Sequence, residues 1–247
     1  MLITKKTLRI NNKTYVVWVF DQCSSTLDLG WELIKSQKLS LGDSILAYEQ
    51  KIGRGQFRRR WSSPKGNLFV SWYERFAFWP KNMLGLALGL ACVEFFQKKG
   101  IGVGLKWPND LIWAEKKIGG ILIEERKGEF LAGIGLNLRV CPDANTLDRD
   151  GFFPPGCLQG LGLNLDPLGF WLELKAELIQ QVNTPSSPEE LVAKINQNLL
   201  FQGRNIIFKT TDKEIKGVFK GINRAGQALV LVEDKLLTLE SGQIVAI

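Results

Sequence analysis

The sequence contains no histidine in its 247 residues. Catalysis by Ser-His or Cys-His pairs is therefore excluded, and any proton transfer has to use lysine, a carboxylate, tyrosine or water. The four cysteines, Cys23, Cys92, Cys141 and Cys157, have no Cys-x-x-Cys spacing, and without histidine the usual zinc ligand sets are nearly excluded too. We expect reduced, mostly buried thiols and no metal site.

Long hydrophobic runs are also absent. The longest, at residues 83–93, is shorter than the ~20 residues that cross a bilayer, and glycines interrupt it. The amino terminus continues into polar Asn11, Asn12 and Lys13 rather than into a signal peptide. These features predict a cytoplasmic protein that does not enter a membrane.

Positive charge is present in excess. Hydrophobic residues make up 45% of the chain, which is enough for a buried core, and the net charge is +7. Such a charge predicts an anionic partner, and a nucleic acid, a nucleotide phosphate or an acidic protein surface would each satisfy it.

Hydrophobic periodicity divides the chain into two parts. In residues 1–201, β-branched and aromatic runs alternate with helical stretches, which predicts an α+β domain. In residues 202–247, short strands follow one another at close, even spacing, which is typical of a small β-barrel of SH3-like size. The strands are predicted at 14–20, 44–49, 67–73, 103–106, 111–114, 118–124, 130–138, 205–209, 214–220, 228–232, 236–239 and 243–247. Helices are predicted at 80–99, 167–182 and 188–201, and a Pro- and Gly-rich loop at 142–160.

A further helix begins near Ser25. The run Ser25-Thr26-Leu27-Asp28 has the spacing of a capping box, in which the first and fourth residues satisfy each other's backbone N–H groups. Apolar residues follow at helical intervals, so we expect a helix with one buried face.

Residues 50–67, the basic loop, combine glycines and basic residues around Trp61 without an acidic group. Gly53 and Gly55 let the backbone approach a ligand closely, and Arg54 between them can bind a carboxylate or a phosphate. Arg58 replaces the third glycine of a dinucleotide-binding fingerprint, and no P-loop motif occurs in the chain. The loop suits an acyl phosphate, but a solvated basic turn or a nucleic-acid patch would have the same composition.

A second stretch, Lys106-Trp107-Pro108-Asn109-Asp110, places a lysine and a carboxylate four positions apart. A buried lysine beside a carboxylate is held charged, and a fixed positive charge stabilises the transition state at a nucleotide α-phosphate. Lys117 begins the next predicted strand, and glycines follow it. The alternative is an ordinary β-turn.

A third stretch, Gly133-Ile134-Gly135-Leu136-Asn137, places two glycines within a strand. Glycine weakens a strand unless another group packs closely against its backbone. A flat adenine ring is one such group, and Asn137 offers its edge both a donor and an acceptor. A strand bulge is the alternative. Together the basic loop and the second stretch indicate activation of a carboxylic acid with ATP.

In this order along the chain, the stretches resemble a biotin protein ligase, also known as biotin–[acetyl-CoA-carboxylase] ligase. The matching blocks are Ser25-Thr26, Gln50 with Gly53-Arg54-Gly55, Trp61 with Ser63-Pro64-Lys65-Gly66-Asn67, residues 106–110, residues 117–124 and residues 133–137. The terminal β-domain matches as well, so the resemblance covers almost the whole chain. It implies a catalytic domain of class II synthetase-like fold, with helices flanking a mixed or antiparallel sheet, followed by the SH3-like barrel.

The resemblance implies a two-step reaction. Biotin and MgATP first give biotinyl-5'-AMP and pyrophosphate, and a lysine of the biotin carboxyl carrier protein of acetyl-CoA carboxylase then attacks the mixed anhydride. The catalytic residues implied are Arg54, Lys106, Asp110 and Lys117. The biotin-binding residues implied are Ser25, Thr26, Leu27, Gln50, Arg54, Gly55, Gln56 and Lys106. The ATP-binding residues implied are Arg54, Trp61, Asn109, Lys117 and Asn137.

The roles also follow from the resemblance. The polar side chains near Ser25 hold the ureido ring of biotin, and the basic loop closes over the acyl phosphate, which water would otherwise hydrolyse. Lys106 neutralises carboxylate and phosphate oxygens, and Lys117 supports the α-phosphate. Asp110 either orients the lysines or helps to deprotonate the incoming amine.

The chain departs from the family pattern at three positions. The family usually has an arginine where Gln56 stands, a glycine where Arg58 stands and an asparagine where Leu27 stands. The arginines at 58–60 either supply the missing charge or leave the intermediate less tightly held. Some bacterial members carry an amino-terminal helix-turn-helix domain, for which we expect no room here. We therefore assign the positive charge to ATP and an acidic carrier domain, with no DNA partner.

Two other functions stay open. A lipoate or octanoate ligase has a related fold and reaction, although the 106–110 block and the 61–67 run belong to the biotin pattern. A nucleic-acid-binding protein would use the arginine cluster and the small barrel. The sequence does not predict the oligomeric state.

Overall fold

The computed structural model describes residues 2–10, 12–143, 153–210 and 213–246. They form an eight-stranded mixed sheet with helices on its faces, followed by a five-stranded antiparallel sheet. This arrangement confirms the predicted α+β fold class. No helix in the described ranges is long and apolar enough to span a membrane.

The large sheet has the strand order β1-β2-β3-β4-β8-β7-β6-β5. Its β2–β3 pair is parallel and is joined through helix α1, because parallel neighbours need a crossover connection. The strands are β1 Leu2–Ile10, β2 Lys13–Cys23, β3 Ser44–Gln50, β4 Leu68–Tyr73, β5 Gly104–Lys106, β6 Asp110–Trp113, β7 Lys116–Arg126 and β8 Glu129–Leu136.

Helices pack on both faces of this sheet. They are α1 Thr26–Lys35, α2 Leu84–Lys98, α3 Pro167–Val182 and α4 Pro188–Asn198. Helix α2 is apolar on nearly every side because it packs against both the sheet and the helices α3 and α4. Helix α1 covers the other face, where Leu27 and Trp31 pack against Leu131 in a separate small cluster. The α1 face is the one that carries the candidate site.

Several element boundaries differ from the prediction. The helix predicted from residue 80 begins at Leu84, after a 3-10 turn at Lys81–Met83. Helix α4 ends at Asn198, short of the predicted 201, because the Leu200 N–H donates to the Leu105 carbonyl instead of continuing the helix. Strand β1 has no predicted counterpart, since its side chains are mostly exposed and polar at the edge of the sheet.

The predicted capping box of α1 does not form. Ser25 is the N-cap residue, but its side chain makes no capping hydrogen bond. Asp28, the fourth residue of the motif, forms an ion pair with Arg54 instead. A full charge on Arg54 attracts the carboxylate more strongly than a backbone N–H does.

The expectation of reduced thiols is wrong for one pair. Cys141 and Cys157 form a disulfide, with their Cα atoms 4.9 Å apart, whereas Cys23 and Cys92 are free. A separation of 16 residues is not a spacing that identifies a pair, so the sequence does not predict this bond. The bond ties together the ends of the predicted 142–160 loop, of which residues 144–152 lie outside the described part.

The carboxy-terminal sheet, here called the small β-domain, has the strand order β12-β11-β10-β9-β13. Its strands are β9 Asn205–Lys209, β10 Glu214–Ile222, β11 Ala228–Val232, β12 Lys235–Leu239 and β13 Gln243–Ala246. Trp107 connects it to the large sheet, because its indole N–H donates to the Gly226 carbonyl at 3.0 Å and its ring packs against Phe208. The boundary predicted at 201/202 lies between α4 and β9 and stays a prediction.

Candidate active site

A cavity of about 260 Å³ opens on the α1 face of the large sheet. All of the candidate site residues predicted from the sequence line it, although they come from different strands, a helix and a loop. They are Ser25, Thr26, Leu27, Gln50, Arg54, Gly55, Gln56, Trp61, Lys106, Asn109, Asp110, Lys117 and Asn137. The structure thus brings distant segments of the sequence together around a single space.

One end of the cavity is built from neutral polar groups. The Ser71 hydroxyl donates to Thr26 Oγ1 at 2.8 Å, and the Thr26 hydroxyl and backbone N–H both donate to Gln50 Oε1. Gln50 Nε2 in turn donates to Ser63 Oγ at 2.9 Å. Each group in this chain of hydrogen bonds fixes the next, so the end of the cavity is rigid before a ligand arrives.

Two further residues complete this neutral end. Ser25 is almost fully buried, and its hydroxyl is not used to cap α1. Leu27 packs over Gly133, where a Cβ atom would lie 3.1 Å from its methyl group. The leucine therefore places an apolar wall where the family pattern has asparagine.

The strand glycines make room for protein side chains. A Cβ atom on Gly135 would lie 2.7 Å from the Trp61 indole, so only glycine allows this ring to lie on the sheet. Gly53 is restricted in the same way, because a Cβ atom there would lie 2.4 Å from the Trp61 carbonyl oxygen. The strand face proposed for adenine is thus covered by Trp61 and Leu27, and Trp61 forms part of the cavity wall.

The other end of the cavity carries a charged cluster on β5, β6 and β7. Lys117 Nζ lies 2.6 Å from Asp110 Oδ1, and Lys106 Nζ lies 3.6 Å from Asp110 Oδ2. The short β5–β6 and β6–β7 connections place these side chains together, as the sequence spacing predicts. Two cations share one carboxylate here, so the cluster keeps an excess of positive charge for an anionic ligand.

Burial and mutual contact shift the ionisation of this cluster. Burial lowers the pKa of the Lys106 ammonium, and the nearby Asp110 carboxylate opposes this effect. Burial alone would raise the pKa of Asp110, but Lys117 and Lys106 together hold it below its usual value. Asp110 is therefore a firmly ionised carboxylate with both oxygens paired, which makes it a weak base.

Asn137 and Asn109 are both held by backbone groups. The Asn137 side-chain amide donates to the Gly156 carbonyl at 2.8 Å, whereas its Oδ1 is buried and has no hydrogen-bond partner among the described residues. The Asn109 amide donates to the Ile121 carbonyl. Asn137 consequently offers a ligand an acceptor, and Asn109 mainly fixes the β5–β6 connection against β7.

The basic loop folds back over the cavity as a small hairpin. Arg54 and Arg60 form an isolated antiparallel bridge, and the Gly55 N–H donates to the Arg59 carbonyl. The tip is a 3-10 turn at Gln56–Arg58, in which Phe57 has the left-handed backbone angle φ of 55° and is exposed. The arginine side chains at 54, 59 and 60 line the cavity, which is inconsistent with a purely solvated turn.

Sequence reasoning missed several parts of the site. Pro142, the 153–155 segment and Gln243 of the small β-domain also line the cavity. Asp28 and Glu124 form ion pairs with Arg54 at 2.8 Å and 2.9 Å. Glu124 is the last residue of the 117–124 block that carries the family resemblance, and this is the one sequence signal that marks it. Nothing in the sequence indicates that it pairs with Arg54.

Comparisons with known proteins agree with this geometry. The sequence profile of the biotin/lipoate A/B protein ligase family matches residues 19–140. The bifunctional ligase/repressor BirA of Escherichia coli K12 is 34% identical over 218 residues, which cover 81% of this chain and 64% of that protein. The biotin--[acetyl-CoA-carboxylase] ligase of Paracoccus denitrificans is 32% identical over 206 residues, which cover 76% of this chain and 82% of that protein.

Comparison of the fold with solved structures also identifies biotin protein ligases as similar proteins. The structure of a biotin protein ligase from Aquifex aeolicus in complex with biotin and ATP matches with a TM-score of 0.78 and 27% identity, covering 92% of this chain and 97% of that one. The chain spans just under two thirds of the length of the Escherichia coli relative. From profile, relatives and fold together, the chain belongs to the biotin/lipoate A/B protein ligase family, and biotin protein ligases are among the members that it matches in both sequence and structure.

Proposed function

We propose that this protein is a biotin–[biotin carboxyl-carrier protein] ligase, which forms biotinyl-5'-AMP from biotin and ATP and transfers the biotinyl group to a lysine of a carrier protein. One observation carries the proposal. A single cavity joins a neutral hydrogen-bonding end at Thr26 and Gln50 to the cationic cluster of Lys106, Asp110 and Lys117. A ligand with a neutral polar head and a carboxylate tail fits this gradient of charge.

The neutral end would bind the ureido ring of biotin. Thr26 and Gln50 are fixed by their mutual hydrogen bonds, so little side-chain entropy is lost when the ligand binds. The Ser25 hydroxyl, which does not cap α1, is available to the ligand. Leu27 would contact the apolar part of the ring system.

The charged end would carry out adenylation. A carboxylate is a poor electrophile, so its oxygen attacks the α-phosphorus of ATP, and pyrophosphate leaves with the electron pair of the broken P–O bond. Lys106 and Lys117 would bring the two anions together and stabilise the added negative charge of the transition state. Mg²⁺ would enter with the nucleotide as its phosphate chelate.

Asp110 would orient the two lysines. Its lowered pKa and its contacts with both ammonium groups make it a poor acceptor for the proton of the incoming amine. Of the two roles that the sequence leaves open, orientation is therefore the one we propose.

The nucleotide base would lie near Trp61 and Asn137. The unpaired, buried Oδ1 of Asn137 can accept a hydrogen bond from an exocyclic amino group such as that of adenine. The Lys117 ammonium, 5.4 Å from the centre of the Trp61 ring, would stand between base and phosphate.

The carrier protein is the proposed macromolecular partner. Arg54, Arg59 and Arg60 of the basic loop line the cavity, so their charge would serve the phosphates and an acidic carrier rather than DNA. The cytoplasm, where carrier and ATP would meet, is the proposed location.

The test is incubation of the purified protein with ATP, a carrier domain, and either biotin or lipoate. We expect pyrophosphate release with biotin and a carrier whose mass increases by one biotinyl group. Transfer of lipoate without transfer of biotin would identify a lipoate ligase instead. DNA or RNA binding without pyrophosphate release would favour the nucleic-acid function.

A further inference from the structure

Arg54 is held in place by two carboxylates from different elements. Its Nη2 lies 2.8 Å from Asp28 Oδ1 on α1 and 2.9 Å from Glu124 Oε1 on β7. We call Asp28 and Glu124 the carboxylate clamp. Residues 28 and 124 are far apart in sequence, so the clamp exists only because α1 packs across the strand that carries Glu124.

The clamp is itself anchored. The Trp31 indole N–H donates to Glu124 Oε2 at 2.6 Å, and Arg126 Nη2 lies 3.3 Å from the same oxygen. Arg126 also lies over the Trp31 ring, 4.7 Å from its centre. Glu124 therefore presents its other oxygen, Oε1, to Arg54 in a fixed direction.

The clamp leaves part of the guanidinium available. Arg54 Nε is buried and has no hydrogen-bond partner among the described residues, and the side chain lines the cavity. Arginine in solution has many rotamers, and fixing one of them in advance lowers the entropy lost when an anion binds. Nη2 holds the side chain, and Nε stays free to donate to a ligand.

We propose that Asp28 and Glu124 are positioning residues that orient Arg54, and with it the basic loop, towards the acyl phosphate of a bound adenylate. The inference rests on the proposed function. It explains why the capping box of α1 is not formed, since Asp28 is engaged by Arg54. It also assigns a purpose to Trp31, whose indole fixes Glu124.

Removing the charge of a clamp carboxylate has opposite expected effects on adenylate release under a positioning role and under a simple electrostatic role. Asp28→Asn and Glu124→Gln each remove a negative charge near an anionic ligand, so a through-space effect would slow adenylate release. Loss of positioning would do the opposite, because Arg54 would become mobile. The sign of the change therefore distinguishes the two mechanisms.

The experiment measures the dissociation rate of synthetic biotinyl-5'-AMP from the purified protein, which requires no catalysis. We expect release to be about tenfold faster in Asp28→Asn and in Glu124→Gln. The matched controls are Glu32→Gln, one turn further along α1, and Glu125→Gln, whose carboxylate pairs with Lys81. Both controls should release the adenylate at the wild-type rate, and the thermal midpoints of all four variants should stay close to that of the wild type.

A double-mutant cycle tests whether the clamp acts through Arg54. In an Arg54→Gln background, Asp28→Asn should change the release rate less than twofold. Unchanged or slower release in both clamp variants, or an undiminished effect of Asp28→Asn without Arg54, would overturn the inference. Failure of the wild-type protein to bind biotinyl-5'-AMP would instead count against the proposed function.

Discussion

The two ends of the cavity are built on different physical principles. At the neutral end, Thr26 and Gln50 belong to a chain of hydrogen bonds without a formal charge. At the charged end, two lysines share Asp110, and burial lowers the pKa of Lys106. Neutral groups can recognise a ligand without depending on pH. The proposed chemistry at phosphorus needs charged groups instead, and burying them costs desolvation free energy.

The largest effect should come from Lys106→Ala. It removes the most buried cation of the charged end, and we expect adenylate formation to fall by about 10³-fold. Pyrophosphate release under single-turnover conditions measures this, and circular dichroism checks that the fold is kept. Normal activity in this variant would contradict the assignment of Lys106.

Lys117→Ala should have the next largest effect. Lys117 is more exposed than Lys106, and Lys106 would still compensate Asp110, so we expect a loss of about 10²-fold in adenylation. The affinity for biotin, measured by titration calorimetry without ATP, should change much less than the KM for ATP. If binding of biotin and of ATP were weakened equally, the two ends of the cavity would not act independently.

The pH dependence should distinguish the ends directly. Burial lowers the pKa of Lys106 below the 10.5 of an ordinary lysine. Its ammonium is therefore present below this lowered pKa and is lost as the pH rises through it. Adenylation should then fall by about tenfold for each further pH unit. Binding of a neutral biotin amide over the same range should stay constant, and a parallel decline would contradict the comparison.

Thr26→Val tests the neutral end with little change in shape. Valine removes the hydroxyl that links Ser71 to Gln50, so we expect the Kd for biotin to rise about tenfold. The alkaline decline of adenylation should keep its wild-type position, because the charged end is untouched. A shifted pH profile would show that the ends are coupled.

Gln56→Arg should have the smallest effect. Gln56 lines the cavity at the tip of the basic loop, where an added cation would attract the adenylate, and we expect release about threefold slower. A single-turnover assay that follows free biotinyl-AMP measures this rate. Gln56→Leu is the control without charge, and an unchanged rate in Gln56→Arg would show that the neighbouring arginines already supply the charge.

The charged end is predictable from the sequence because its parts are local. Lys106 and Asp110 flank one short connection, and Lys117 follows on the next strand, so two antiparallel turns bring them together. The charge and glycine content of the basic loop are visible too. The family resemblance supplied the link between these segments and the neutral end.

The rest depends on contacts between distant segments. Asp28 and Glu124 are ordinary surface carboxylates by sequence, and only the packing of α1 brings them to Arg54. Strand β1 has too little apolar alternation to be recognised without its partner β2. The Cys141–Cys157 bond likewise joins two cysteines whose spacing in the sequence does not identify them as a pair.

Neighbouring residues of the 106–110 stretch point in different directions. Lys106 faces the cavity, whereas Trp107 inserts its ring beside Phe208 and donates to Gly226. A chain shortened before the small β-domain would therefore leave a large aromatic side chain facing water one residue from the principal cation of the site. The two sheets are in this sense one unit for protein engineering, and a shorter form of the protein should be sought by trimming strand β1 rather than the carboxy terminus.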